Sequence, residues 1–357
     1  MNRPPGSPSP PALEALRRAL IDSEPATPAP ERLERLIAAG LDRLPVPGGG
    51  ATLQRWQSLA AVAASDLSLA KLYEGHTDAL AIFDELGGPI DGADAPGSWA
   101  VWAAEAPQGR ALIEPDNDAR QGQVRLSGAK GWCSGAAGVK RALLTAWHAD
   151  GRGPQLVSVE VMQPGVRVSA ASWHAVGMVE SASLDVVFDR ARVRLVGEPG
   201  DYLRRPGFWH GGAGVAACWY GAGVAIAEAL RRALEREANA AAGTVHQGFR
   251  RAALGRVDVS LRAAAALLRE GANWIDANPR ADASAVALRT RLCAEQTATA
   301  VLAEVGRALG ATPFCRDARF ARAAADLPVF IRQSHAERDL AALGERAVQA
   351  EATAWWL

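Results

Sequence analysis

Hydrophobic positions along this chain change their period twice. From residue 11 to about residue 95, apolar side chains recur at three- and four-residue spacing between Pro and Gly breaks, the period of amphipathic helices. The longest such run, TLQRWQSLAAVAASDLSLAKLYEGHTDALAIFDELGG, closes on a Gly pair suited to a helix stop. PIDGADAPG then breaks the pattern and marks a boundary. Between about residues 96 and 198 the segments become short. GQVRLSGAKGW, RALLTAWHA, PQLVSVEVM, GVRVSAASWHAVG and SASLDVVFDRARVRLV alternate apolar and polar residues or form apolar runs bounded by Gly, Pro and Asp. Strands at such intervals, with no helix between them, predict a compact β-barrel or sandwich. From residue 199 to 357 the helical period returns in segments longer than roughly 20 residues, the last starting near Asp317, which predicts an antiparallel four-helix bundle. Residues 1–10, MNRPPGSPSP, read as a Pro-rich disordered lead-in.

Composition narrows the picture by exclusion. The 357 residues suffice for two or three domains. With 39 basic and 39 acidic side chains, nothing in the charge balance points to nucleic acid or an acidic membrane surface. No unbroken apolar stretch reaches the roughly 20 residues that span a bilayer, and the N-terminus lacks the apolar segment of a secretory signal. Cys133, Cys218, Cys293 and Cys315 are far apart with no CxxC pair, so neither a zinc site nor a disulfide scaffold is expected. These features place the chain in the cytoplasm, without a structural metal.

The order helices, small β domain, helical bundle resembles the acyl-CoA dehydrogenase superfamily of flavoproteins, from about Leu59 to Gly344. LSGAKGWCSGA resembles the middle-domain signature G-x-K-x-W-x-[ST]. WHAVGMVESASLDVVFDRARV resembles the strand pair that closes that domain, and GDYLRRPGFWHGGAGVAACWYGAGVAIAEAL the first long C-terminal helix. FCRDAR resembles R-D-A-[KR] near the C-terminal active-site segment. The resemblance implies FAD, with Trp132 packed on the flavin ring and the Ser134 hydroxyl bonded near its N5–O4 edge. Strand residues two apart share a face, so an aromatic plane and a small donor there can meet one flat heterocycle, with Cys133 pointing into the barrel. The plainer alternative is a buried barrel Trp beside a turn-capping Ser.

The family reaction is α,β-desaturation of an acyl thioester, carried by CoA or a carrier protein, and it needs a carboxylate base at the α-carbon. The usual Glu follows R-D-A-[KR]; here that position is Ala325. Asp326 is the nearest carboxylate, with helix or turn capping before Leu327-Pro328 as its alternative role. Some members carry the base on the first long C-terminal helix, where His210 stands in this chain. His76 falls on the helix that lines the substrate cavity in the family. Arg332, Ser334 and His335 fall in the segment that reaches the flavin. Arg236, eleven residues before Gln247, keeps the spacing of the family's pyrophosphate contact. The Phe-Gly after that Arg is absent, and T-E-P-x-x-G-S-D is reduced to AEAPQGR, in which Glu105 and Pro107 preserve part of a cofactor-contacting stretch. No G-x-G-x-x-G follows a strand, so a Rossmann mode is not expected.

Three functions compete on these residues. The first is an FAD-dependent acyl thioester dehydrogenase. The second is a flavin monooxygenase on the same fold, using externally reduced flavin. The third is a non-redox degenerate member. The family's habit implies a homodimer or homotetramer, with apolar surface from Ala213–Ala233 and Ala281–Leu309 and from the terminal TAWWL.

Overall fold

A computed structural model describes residues 13–23, 27–87, 97–105, 109–115, 122–239, 246–350 and 355–356. The N-terminal helices are α1 (Leu13–Ile21), α2 (Ala29–Ala38), α3 (Thr52–Ser65) and α4 (Leu67–Leu86). The long apolar run is divided in two, because Asp66 takes an extended conformation (φ −162°, ψ 130°) and ends α3. A short acidic residue just before a helix is the type that accepts first-turn N–H groups.

Among the described residues seven strands follow: β1 (Trp99–Trp102), β2 (Ala111–Glu114), β3 (Gln123–Cys133), β4 (Arg141–His148), β5 (Pro154–Glu160), β6 (Val166–Ser169) and β7 (Leu184–Val196). β4 pairs with β2, β2 with β3, β3 with β7, β7 with β5, and β5 again with β4, so five strands close into a barrel. β1 adds to β4 and β6 to β7. The five strand segments of the sequence are all present. β1 and β2 gave no separate signal, being only four residues each. Leu126, Cys133, Leu144, Val157, Val186 and Phe188 fill the barrel, each at most 2% exposed. Burial of side chains of this size contributes about 1.5–3 kcal/mol apiece. Outside the barrel, Ala79, Ile82 and Phe83 of α4 cover Trp99, Leu143 and Leu156, with Phe83 edge-on to Trp99 at 4.8 Å.

After α5 (Asp201–Arg204) come the long helices α6 (Gly207–Asn239), α7 (His246–Ala277) and α8 (Ser284–Leu309). The final segment is not one helix. It is α9 (Thr312–Arg316), α10 (Ala318–Phe330), a 3-10 turn over Ile331–Gln333 and α11 (Glu337–Gln349). Ser334 is extended and Ala336 has φ 45°, which no continuous helix permits. The chain divides into two compact units. One is residues 1–47 with 68–208, holding the barrel; the other is 48–67 with 209–357, holding α3 and the C-terminal helices.

In the helical unit, Asp276 at the end of α7 accepts from the Gly50 and Thr52 N–H groups (3.0 Å each) and from Thr52 Oγ1 (2.6 Å), fixing the start of α3. By composition α6 has an 18-residue window apolar enough for a bilayer, against expectation, but 72% of that window is buried inside the protein. It is a core helix. Trp219 and Leu230 of α6 and Ala287 and Val301 of α8 are likewise buried within this chain, so the apolar faces of both helices serve its own core. Trp355 and Trp356 are 85% and 77% exposed.

Gly221 of α6 lies against the backbone carbonyl of Ala60 on α3, where a Cβ has no room. Gly221→Ala is expected to destabilise the protein by about 1–3 kcal/mol, read as a lowered melting temperature. An unchanged melting temperature would show that α3 and α6 are not in this contact.

Candidate functional site

On the barrel unit the expected signature lies at the end of β3. Lys130 pairs with Val186 of β7 and Cys133 with Leu184, so β3 takes three steps where β7 takes two. The extra residue is a bulge, and Trp132 within it has φ 60°. For a bulky aromatic this left-handed backbone costs about 1–2 kcal/mol. It turns the indole outward, 60% exposed, while Cys133 remains fully buried in the barrel. Barrel packing therefore does not account for Trp132. Burial raises the Cys133 thiol far above its ordinary pKa and leaves it inert.

The even alternation assumed from sequence fails at the bulge. Trp132 and Ser134 are neighbours through a tight turn instead, with the Ser134 N–H bonded to the Trp132 carbonyl at 3.0 Å. The Ser134 carbonyl accepts from Trp102 Nε1 at 2.9 Å. Its hydroxyl pairs with Ser183 Oγ at 2.8 Å, and Ser183 with Ser181 Oγ at 3.1 Å.

Lys130 carries a contact that sequence reading missed, although the Lys of G-x-K-x-W signalled it. Its ammonium is 2% exposed and bonds Glu105 Oε1 (2.9 Å), the Thr145 carbonyl (3.1 Å) and Thr145 Oγ1 (2.6 Å), using all three donors. Thr145 Oγ1 and Trp147 Nε1 complete the hold on Glu105 at 2.9 and 3.2 Å. Glu105 thus fixes its loop to the barrel. Pro107 lies outside the described residues.

His76, on α4, is buried with both ring nitrogens engaged. Nδ1 accepts the Trp99 N–H at 3.1 Å, which fixes the Nε2–H tautomer, and Nε2 donates to buried Asp42 at 3.0 Å. The ring joins α4, the segment after α2 and β1.

The other predicted residues belong to the helical unit. His210, in the first turns of α6, is 2% exposed, and its Nδ1 lies 3.2 Å from where a Cβ on Gly48 would stand. Asp326 is 3% exposed in α10, two residues before a Pro that stays inside the helix. It lies inside α10, and the N-cap of that helix is Asp317, which accepts the Arg319 and Phe320 N–H groups. Arg332 bonds Glu295 at 2.6 Å. The Ser334 hydroxyl accepts the Ala336 N–H, and Asp339 accepts the His335 N–H at 3.0 Å. Arg291 bonds the carbonyls of Gly212 and Gln333 and lies over Trp219, tying this segment to α6 and α8. Arg236 is exposed near the end of α6 and makes no ion pair among the described residues.

No protein-family model and no curated sequence matches the chain. Solved structures do match. The dibenzothiophene monooxygenase TdsC of Paenibacillus sp. A11-2, in its indole-bound form, gives a TM-score of 0.76 at 19% identity, over 93% of this chain and 94% of that one. Methanesulfinate monooxygenase MsuC of Pseudomonas fluorescens gives 0.70 at 19%, over 95% and 97%. Butyryl-CoA dehydrogenase of Megasphaera elsdenii gives 0.77 at 17%, over 94% and 98%. The architecture is the acyl-CoA dehydrogenase fold, as the sequence resemblance implied. At these identities the likeness is one of fold, shared by oxygenases and dehydrogenases alike.

The Glu105 carboxylate is held below its ordinary pKa. Burial opposes this, but the Lys130 hydrogen bond and charge, with Thr145 and Trp147, outweigh it. Glu34 is lowered in the same way, against burial, by Ser98 and Lys140. A lowered folded pKa contributes stability above the unfolded value, lost as pH falls through the folded one. The stability these two carboxylates contribute is therefore expected to be fully present above about pH 5 and to be lost below about pH 4, read as a falling unfolding midpoint. Glu105→Gln should shrink that acid loss. An identical acid profile in the variant would contradict the hold of Lys130, Thr145 and Trp147 on Glu105.

Proposed function

We propose that the chain is a cytoplasmic flavin-dependent oxidoreductase, working as a monooxygenase that takes externally reduced FMN. Trp132 carries the flavin assignment. A strained bulge holds an indole out of the barrel beside a hydroxyl, and that donor set suits a flat heterocycle with acceptor atoms on its edge. Reduced flavin bound there would supply two electrons to dioxygen, with one oxygen atom passing to the substrate and the other leaving as water. Trp132 would cover the ring face and limit water there, while Ser134 would donate to the ring edge.

Ala325 supports oxygenation over desaturation. It stands where a dehydrogenase needs its Glu, and a methyl group takes no α-proton. FMN in place of the expected FAD is supported by the missing Phe-Gly after Arg236, which removes an adenine contact, and by the FMN-bound form of TdsC. In this reading His210 and Asp326 are the helical unit's buried proton-handling groups, and Arg236, Arg332, Ser334 and His335 its cofactor contacts. The substrate is a small molecule, and assembly as a dimer or tetramer is carried over from the family's habit.

The test is consumption of reduced FMN and dioxygen in the presence of indole or an alkanesulfinate, with ¹⁸O₂ as label. Label in the product is the expected result. Anaerobic bleaching of bound flavin by butyryl-CoA would overturn it in favour of desaturation, with Asp326 as the base to examine.

A further inference from the structure

Three serine hydroxyls lie in a row at the end of the barrel. Ser181 Oγ is 3.1 Å from Ser183 Oγ, which is 2.8 Å from Ser134 Oγ. Ser181 is 1% exposed, while Ser183 and Ser134 are half-buried. Three hydroxyls carry three protons, and two hydrogen bonds between them use two. If the row ran inward, the last proton would sit on buried Ser181, which has no other side-chain bond among the described residues. A buried, unsatisfied donor is the costly arrangement. Ser183 is bonded on both sides. The open end is Ser134, beside the exposed indole.

The loop carrying the two inner serines is held in place independently. The Glu180 carboxylate accepts the Ala29 N–H at the start of α2 (3.0 Å), and the Ser181 carbonyl accepts the Gly135 N–H. Met178 and Ala182, on either side of the 3-10 turn, both have left-handed backbone, φ 60° and 39°. Strain of this kind persists only where the surroundings over-determine the conformation.

We infer that Ser183, backed by Ser181, is a positioning residue: it accepts from Ser181, donates to Ser134, and directs the Ser134 proton outward to an acceptor on the flavin edge. The inference rests on the proposed flavin site at Trp132. Each donor in such a row polarises the next, so Ser134 is a stronger and better-aimed donor than a lone serine.

The test titrates FMN into wild-type protein, Ser134→Ala, Ser183→Ala and Ser183→Thr, following affinity and the visible flavin bands, with melting temperatures alongside. Ser183→Ala is expected to weaken FMN about three- to tenfold and to shift the bands in the direction Ser134→Ala does. Ser183→Thr keeps the hydroxyl and should restore both to within about twofold. Should Ser183→Ala fail to fold, Ser181→Ala is expected to give the same band shift at smaller size, and wild-type bands there would overturn the inference. If Ser134→Ala alters binding and folded Ser183→Ala does not, the serine row is overturned and the flavin site stands. Wild-type protein that binds no FMN overturns both.

Discussion

The barrel closes because β4 is shared. Its first half pairs with β1 and its second half with β2 along one edge, while the other edge runs the length of β5. Closure removes the open edges that a small sheet would otherwise expose. It also fixes β3 and β7 side by side as one antiparallel pair. Everything proposed for the barrel unit is placed by that pair: Lys130, Trp132 and Ser134 at the end of β3, and Ser181 and Ser183 just before β7.

Within this frame the bulge at Trp132 is a local departure from what stability alone favours. A glycine would adopt φ 60° without strain, and a regular strand would avoid it. The surroundings absorb the cost. Cys133 anchors the next position inside the barrel, Trp102 holds the Ser134 carbonyl, and Lys130 with Glu105 and Thr145 locks the residues before the bulge. We read an exposed aromatic in a strained backbone, braced on every side, as a residue placed for contact rather than for packing.

Sequence periodicity carried the architecture well, because five strands and the long helices each satisfy one clear period. It missed β1 and β2, since four residues show too little alternation to stand out. It also could not show that the last helical segment breaks at Ser334 and Ala336. Glu295 and Arg291 hold the segment at that break, and both are distant partners invisible in a local window. At the candidate site the residue types were legible and the reasons were not. Trp132 and Ser134 were expected to meet through strand alternation and are neighbours through a bulge. His76 was expected on the helix that lines the substrate cavity in the family; the use of both its nitrogens depends on Asp42 and Trp99, which the sequence did not connect to it. The serine row escaped notice because Ser134 and Ser183 are 49 residues apart.

The proposed flavin site depends on Trp132 being held outward. Trp132→Gly tests it most directly, through FMN titration and a thermal melt on the same samples. The account predicts an FMN affinity lower by about tenfold with a melting temperature no lower than wild type, because glycine relieves the left-handed backbone. Undiminished FMN affinity, or a large loss of stability, would show that the indole serves packing instead.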